Sequence, residues 1–319
     1  MSAKPIRINS LRAFFAAARF RTLAAAAVPV AAGCALAAAD GLFAWPQAVL
    51  CMAFALLMQV DANLINDLYD FLKGSDDGER LGPPRACAMG WVTTGAMRRA
   101  IAVTTVAASL VGCGLLRYGG WELLLLGALC VVFAFLYTAG PFPLAYHGWG
   151  DLLVLLFFGL VPVGGTYYVM AHGLTRWILP VAGACGLVVD TLLLVNNYRD
   201  RAEDARSGKR TLVVRLGAAA GSRLYLWAGI GACLLCLALA LRGAWFAALL
   251  PTAYLAAHVT TWRRMVRIGS GRALNGILAA TSRNMLLFGV LLALGCVCSS
   301  ALPRRLWDKI SRNTVVKLL

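Results

Sequence analysis

The sequence predicts an all-α membrane protein, a bundle of about nine transmembrane helices, on three observations. Of its 319 residues 61% are hydrophobic and 14% charged, with mean hydropathy +0.74, whereas soluble domains carry about a quarter charged residues. A window of about 19 residues finds nine apolar segments. The charges between those segments are unevenly distributed, as they are around spans of fixed orientation. Soluble single-domain folds are excluded, and the length leaves no room for a sizeable second domain. One membrane domain over residues 1–303 and a basic tail over 304–319 are expected.

In order, the segments run near 22–39, 46–65, 100–116, 121–138, 152–171, 177–196, 223–241, 244–261 and 284–301. The stretch before the first, Met1 to Phe20, is basic and amphipathic but lacks a continuous apolar run with a cleavage site, so no removable signal peptide is expected. Trp45, Trp121, Trp177 and Trp245 stand at span ends, where indole rings sit at the headgroup level. With the N-terminus inside, the inner segments hold 22 of the 30 Lys and Arg residues, while the outer loops hold Arg117, Arg176 and Arg242. That asymmetry turns the N-terminus and the basic loops towards the cytoplasm. Nine spans would place the tail residues Arg304, Arg305, Lys309, Arg312 and Lys317 outside, against the same rule. The net charge of +16 belongs with anionic lipid headgroups rather than nucleic acid, because apolar 20-mers separate the basic clusters. Nine of the ten cysteines lie in apolar segments and Cys87 in a loop; they read as small packing residues, with neither disulfide nor zinc expected.

The 14 acids are the most informative residues. Ten of them occupy two windows, Asp61, Asp67, Asp70, Asp76, Asp77 and Glu79 in one and Asp190, Asp200, Glu203 and Asp204 in the other. Asn63, Asn66, Asp67 and Asp70 stand at i, i+3, i+4 and i+7, which puts them on one helix face. Asn197, Asp200 and Asp204 stand at i, i+3 and i+7, with Asn196 completing a second stripe. Two such stripes at helix ends four spans apart suggest pseudo-related halves. Facing carboxylates near lipid need a cation, and Mg²⁺ fits, being bound by one or two carboxylates, water and phosphate oxygens. Basic residues follow each stripe, Lys73, Arg80 and Arg85 after the first and Arg206, Lys209 and Arg210 after the second. Acids that hold metal beside ammonium and guanidinium groups point to an anionic ligand of phosphate type.

At these residues the chain resembles the UbiA superfamily of intramembrane prenyltransferases, in Asn66-Asp67-Leu68-Tyr69-Asp70 and in Asp200-Arg201-Ala202-Glu203-Asp204. Within it the chain is most similar to the 1,4-dihydroxy-2-naphthoate polyprenyltransferases of menaquinone synthesis. The residues that carry this are Arg19-Phe20-Arg21-Thr22-Leu23, Lys73-Gly74-Ser75-Asp76, Arg80-Leu81-Gly82-Pro83-Pro84-Arg85, Gly148-Trp149-Gly150-Asp151, Asn196-Asn197-Tyr198-Arg199-Asp200 and Gly208-Lys209-Arg210-Thr211-Leu212, with Leu274-Asn275 and Thr281. One departure is Gly74, where many relatives carry a further acid; Asp76 is the nearest substitute. The resemblance implies nine helices around a central cavity with cytoplasmic caps from the 2–3 and 6–7 loops, in a bacterial inner membrane. It also implies transfer of a prenyl group from an allylic polyprenyl diphosphate to an aromatic ring, which in this branch loses its carboxylate as carbon dioxide.

The residues assign themselves to that chemistry as follows. Mg²⁺ between the stripes, with Asp67, Asp70, Asp200 and Asp204 as catalytic carboxylates, stabilises the leaving diphosphate, and Lys73, Arg80, Arg85, Lys209 and Arg210 add charge-assisted hydrogen bonds. An allyl cation is shielded from water and stabilised by aromatic faces, for which Tyr69, Tyr137 and Tyr198 are candidates. The segment from Tyr137 through Gly140-Pro141-Phe142-Pro143 to Tyr146-His147-Gly148 carries no Lys or Arg and is a candidate acceptor pocket, with His147 as a polar contact. Arg21 is the alternative partner for the acceptor carboxylate. Two other readings stay open, 4-hydroxybenzoate as acceptor and a secondary transporter with coupled acids.

Overall fold

The computed structural model describes residues 6–75 and 80–301, without the side chains of Arg21 and Ala301. Asp76, Asp77, Glu79 and the tail 304–319 lie outside the described residues, among which all regular structure is helical. Helix α1 (Leu11–Ala18) starts at Ser10, whose hydroxyl accepts from the Ala13 N–H at 3.3 Å. It ends at Arg19, where a φ of +50° turns the chain through 57° into α2 (Leu23–Ala39). Helices α3 (Trp45–Leu72), α4 (Thr94–Gly119) and α5 (Glu122–Thr138) pack against one another. Helices α6 (Gly150–Leu155) and α7 (Val161–Ala171) form one span joined by a π-helical turn at Leu156–Leu160. Helix α8 (Ile178–Arg206) follows, then the short α9 (Leu212–Leu216), α10 (Ala218–Leu237), α11 (Trp245–Leu249), α12 (Tyr254–Ile268) and α13 (Leu274–Ala301).

Each of the nine apolar segments is helical to within two residues, but the expected count of nine spans is not reached. Among the described residues six helices are long and apolar enough to cross a membrane, or seven if α1 and α2 make one bent span. Helix α5 has 17 residues, about 26 Å of rise against a hydrocarbon core of about 30 Å. The segment at 244–261 is divided between α11, a 3₁₀ turn at Leu250–Ala253 and α12, and α12 carries Arg263, Arg264 and Arg267 towards its end.

Helix α8 is the axis of the bundle. Its buried Val181, Cys185, Val188 and Val189 share one apolar cluster with side chains of α2, α7, α10 and α13. The π turn can approach α8 because both carry glycine there: a Cβ on Gly159 would lie 2.6 Å from the Ala182 carbonyl oxygen, and one on Gly186 3.1 Å from the Leu155 Cα. Two acids prove structural in their contacts. Asp61, fully buried on α3, accepts from the hydroxyls of Thr104 and, at 2.8 Å, Thr105, which ties α3 to α4. Asp40 accepts from Tyr167 at 2.8 Å and pairs with Arg242 at the opposite end of the bundle.

Gly159→Ala should therefore lower the melting temperature of the detergent-purified protein, by the equivalent of about 1–3 kcal/mol of overpacking. Gly127→Ala, whose Cβ would meet nothing within 4 Å, should leave it unchanged.

Candidate active site

A cavity of about 480 Å³ lies between α2, α3, α4, α5, the α6–α7 span and α8. Its polarity is graded along the bundle. Arg19 and Thr22 at the start of α2, Gln59, Asn63 and Asn66 near the end of α3, Tyr137 near the end of α5 and Asn196 near the end of α8 line one end. Leu115, Leu116, Leu123 and Leu124, from the last turn of α4 and the first of α5, line the other. Arg19 and the carboxamides lie at the end of the bundle where the basic loops emerge, while Ser109 and Thr166 are hydroxyls farther along the wall.

The first stripe closes that end. Asp67, buried, accepts from the backbone N–H groups of Ala86 at 2.9 Å and Cys87 at 2.8 Å, so it anchors the loop between α3 and α4, and Arg19 Nη2 stands 3.9 Å from it. Asp70, one turn on, accepts from Tyr146 at 3.0 Å and pairs with Arg85 at 3.4 Å. Asn66 accepts from Thr138 at 2.9 Å and lines the cavity. Asn63 is turned towards the N-terminal segment: its amide donates to the Ala18 carbonyl and to Thr22 Oγ1, both at 2.9 Å, and its oxygen accepts from Gln59 at 3.3 Å.

The second stripe is held by arginine. Asp200 receives Arg199 through two hydrogen bonds of 2.7 and 2.6 Å, and Arg80 from the first loop stands 3.9 Å from it. Asp204 lies 3.8 Å from Lys209. Arg199 donates to Asn275 at 2.9 Å, and Asn275 donates to the Leu81 carbonyl at 2.9 Å, so the first loop docks on the second motif. Gly82 permits this, since a Cβ there would lie 2.7 Å from Arg199 Nη2. Asn197 lines a small pocket with Tyr137, Asp151 and Lys209.

The remaining expected residues divide between the mouth of the site and positions away from it. Lys73 donates to the Thr138 and Gly140 carbonyls at 2.8 and 3.3 Å, at the mouth. The Arg210 side chain is exposed. Tyr69 packs with Leu68 and Met97, and Tyr198 with Val195 and Val213, both in apolar clusters away from the cavity wall. His147 Nδ1 is bonded to the Pro143 carbonyl at 2.9 Å and its ring stacks on Phe142, so it caps its own turn. The Arg21 side chain and Asp76 lie outside the described residues.

Three residues to which the sequence assigned no chemical part do reach it, Arg19, Gln59 and Arg199, and so does Tyr146 from the candidate acceptor segment, at Asp70. The position of Arg199 beside Asp200 was the available signal for one; the others depend on partners distant in sequence. Asp151 and Asp190 form a further buried pair whose charges oppose each other, each with one oxygen that has no hydrogen-bond partner among the described residues. Burial lowers the Lys73 pKa, partly offset by Asp70. Burial and then the Asp70 charge raise the Tyr146 pKa, which keeps its phenol a donor.

Among the described residues no group of three His, Cys, Asp or Glu side chains could hold a metal alone. Mg²⁺ does not require one, since water and phosphate oxygens complete its shell. Asp70 and Asp200 are both close enough to act electrostatically on Asp204, and the three offer hard oxygen donors, a set that fits Mg²⁺ shared between protein and diphosphate.

Residues 26–275 match the UbiA prenyltransferase family. The 1,4-dihydroxy-2-naphthoate octaprenyltransferase of Escherichia coli (strain K12) is 38% identical over 239 residues, covering 73% of this chain and 77% of that protein. The enzyme of the same name from Mycobacterium tuberculosis (strain ATCC 25618 / H37Rv) is 38% identical over 208 residues, 65% of this chain and 71% of that protein. Among solved structures, a UbiA homolog from Archaeoglobus fulgidus bound to DMAPP and Mg²⁺ superposes with a TM-score of 0.61 at 13% identity, over 91% of this chain and 99% of that one. A digeranylgeranylglyceryl phosphate synthase gives 0.55 at 10% identity, over 91% and 98%. Those structures share the fold, and the sequence matches carry the assignment: this chain belongs to the UbiA prenyltransferase family.

Proposed function

We propose that the chain transfers a polyprenyl group from an allylic polyprenyl diphosphate to 1,4-dihydroxy-2-naphthoate, with loss of the ring carboxylate as carbon dioxide, in the menaquinone pathway. The observation that carries this reading is the graded cavity: acids and bases of both motifs at one end, then a band of carboxamides and a phenol, then leucines. A diphosphate, an aromatic acid and an isoprenoid chain have that order of polarity. The relatives named for this reaction support the choice of acceptor.

Asp70, Asp200 and Asp204 would hold Mg²⁺, which supplies Lewis-acid stabilisation of the departing diphosphate. Arg80, Arg85, Lys73 and Lys209 stand around these carboxylates and add donors where negative charge develops. The apolar wall excludes water from the allyl cation, and Tyr137, the candidate aromatic that lines the cavity, offers it a π face. Attack by the ring carbon forms the new C–C bond, the C–O bond to diphosphate breaks, and departure of carbon dioxide returns an electron pair to the ring. Arg19 is placed to take the acceptor carboxylate: it lines the cavity, its buried Nη2 has no hydrogen-bond partner among the described residues, and it is steered by Asp67. This is the part assigned above to Arg21. We also infer a bacterial inner membrane with the site facing the cytoplasm, from the charge asymmetry of the loops.

Purified protein in detergent with Mg²⁺, a polyprenyl diphosphate and either 1,4-dihydroxy-2-naphthoate or 4-hydroxybenzoate should yield the prenylated naphthoquinol by mass, with carbon dioxide released. Preferential turnover of 4-hydroxybenzoate would overturn the acceptor assignment. Chelator should abolish activity and Mg²⁺ restore it, and Asp200→Asn should cost at least about 10²-fold in kcat. Arg19→Ala should raise the KM of the acceptor by about tenfold or more with little change in that of the diphosphate; the reverse pattern would move Arg19 to the diphosphate. For orientation, Arg210→Cys, made with the exposed Cys113 and Cys298 replaced by Ser, should react with an impermeant maleimide only from the cytoplasmic side of membrane vesicles.

A further inference from the structure

Tyr146 is the residue on which both motifs converge. It sits on the 3₁₀ turn Leu144–His147 between α5 and α6. Its hydroxyl donates to Asp70 Oδ1 at 3.0 Å and lies 2.5 Å from Ser75 Oγ, which places it on the first motif and the loop after it. Its ring carries two ammonium groups, Lys73 Nζ at 4.9 Å from the centroid and Lys209 Nζ at 5.5 Å. Its carbonyl accepts from the Arg210 N–H at 2.9 Å, so the loop after the second motif is pinned to the same residue.

Resting on the diphosphate site proposed above, we propose that Tyr146 is a positioning residue that assembles the two half-sites: its ring gathers Lys73 and Lys209 for the diphosphate, and its hydroxyl fixes Asp70 for the metal. Two ammonium groups repel each other, and each sits on a stem with four rotatable bonds that must be ordered before it can bind. An aromatic ring within about 6 Å attracts both and holds them near Asp70 and Asp204 before any ligand arrives. The turn itself does not depend on the Tyr146 side chain. It is held by the Tyr146 N–H to Pro143 and Trp149 N–H to Leu144 bonds, by His147 on Pro143, and by Arg215 on the His147 carbonyl at 2.8 Å.

The ring and the hydroxyl are separable by mutation. Tyr146→Phe keeps the ring and removes the bond to Asp70, so the Mg²⁺ concentration for half-maximal activity should rise about fivefold while the KM of the prenyl diphosphate changes less than about twofold. Tyr146→Leu removes both, so the KM of the diphosphate should rise about tenfold as well. The KM of the acceptor should stay within about twofold in each. A second readout uses no acceptor: binding of Mn²⁺ with an unreactive prenyl thiolodiphosphate, followed by electron paramagnetic resonance, should weaken in the same order. Equal changes in both substrates' KM values, or Tyr146→Leu behaving as wild type, would overturn the proposal. Should Tyr146→Leu not fold, the Mg²⁺ shift of Tyr146→Phe alone decides, and an unshifted Phe variant rejects the role of the hydroxyl. If the wild type binds the Mn²⁺–thiolodiphosphate pair but turns over no naphthoate, the acceptor reading fails while the Tyr146 test still stands.

Discussion

The pairing of buried carboxylates with guanidinium and amide groups at one end of the bundle is the interaction on which the rest depends. Asp67, Asp70, Asp200 and Asp204 are all at least nine-tenths buried, and a charge taken out of water must be compensated or it destabilises the fold by several kcal/mol. Compensation crosses the two halves of the chain. Arg85 and the N–H groups of Ala86 and Cys87 cover the first stripe, while Arg80 from the same loop approaches Asp200, and Asn275 joins Leu81 to Arg199. A loop that would otherwise move freely over the mouth is thus folded onto both motifs.

Once the charges are fixed there, the remaining architecture follows from where they cannot be. The span α6–α7 approaches α8 through facing glycines, and the same span forms a wall of the wide cavity together with α2–α5 and α8. The glycine contact supplies stability, and the residues of the span that face away from it leave room for a ligand. Asp61 and Asp40, both acids in or beside apolar segments, find hydroxyl or arginine partners away from the cavity. The bundle therefore separates acids that brace helices from acids that face the mouth.

Helix positions and the acidic stripes were legible in the sequence because they rest on local regularities, long apolar runs and the 3.6-residue repeat. The span count was not, since α5 is short and the 244–261 segment breaks at a 3₁₀ turn. Nor did spacing show which member of a stripe faces what. Asn63 shares its face with Asp67 and Asp70, yet it meets the turn after α1 one helical turn before the mouth begins. Arg19 and Arg21 are indistinguishable in a basic run until the positive φ at Arg19 turns the chain. Tyr146 was legible only as part of the acceptor segment, not as a contact of both motifs, because its partners Asp70 and Lys209 lie more than sixty residues away in opposite directions.

Asp67 and Asp70 are three residues apart in one motif but are held in different ways. Both oxygens of Asp67 already accept backbone N–H groups, at 2.9 and 2.8 Å, and hydrogen bonds to an ionised acceptor are roughly twice as strong as neutral ones. Each oxygen keeps one further lone pair, so an ion at Asp67 would have to share the carboxylate with the loop that carries Arg85. Asp70 has only side-chain partners, a phenol and a guanidinium, and both can turn towards a phosphate when an ion takes their place. The geometry thus divides the motif: the Asp67 carboxylate is tied to the backbone of the loop, and the Asp70 carboxylate is held by side chains.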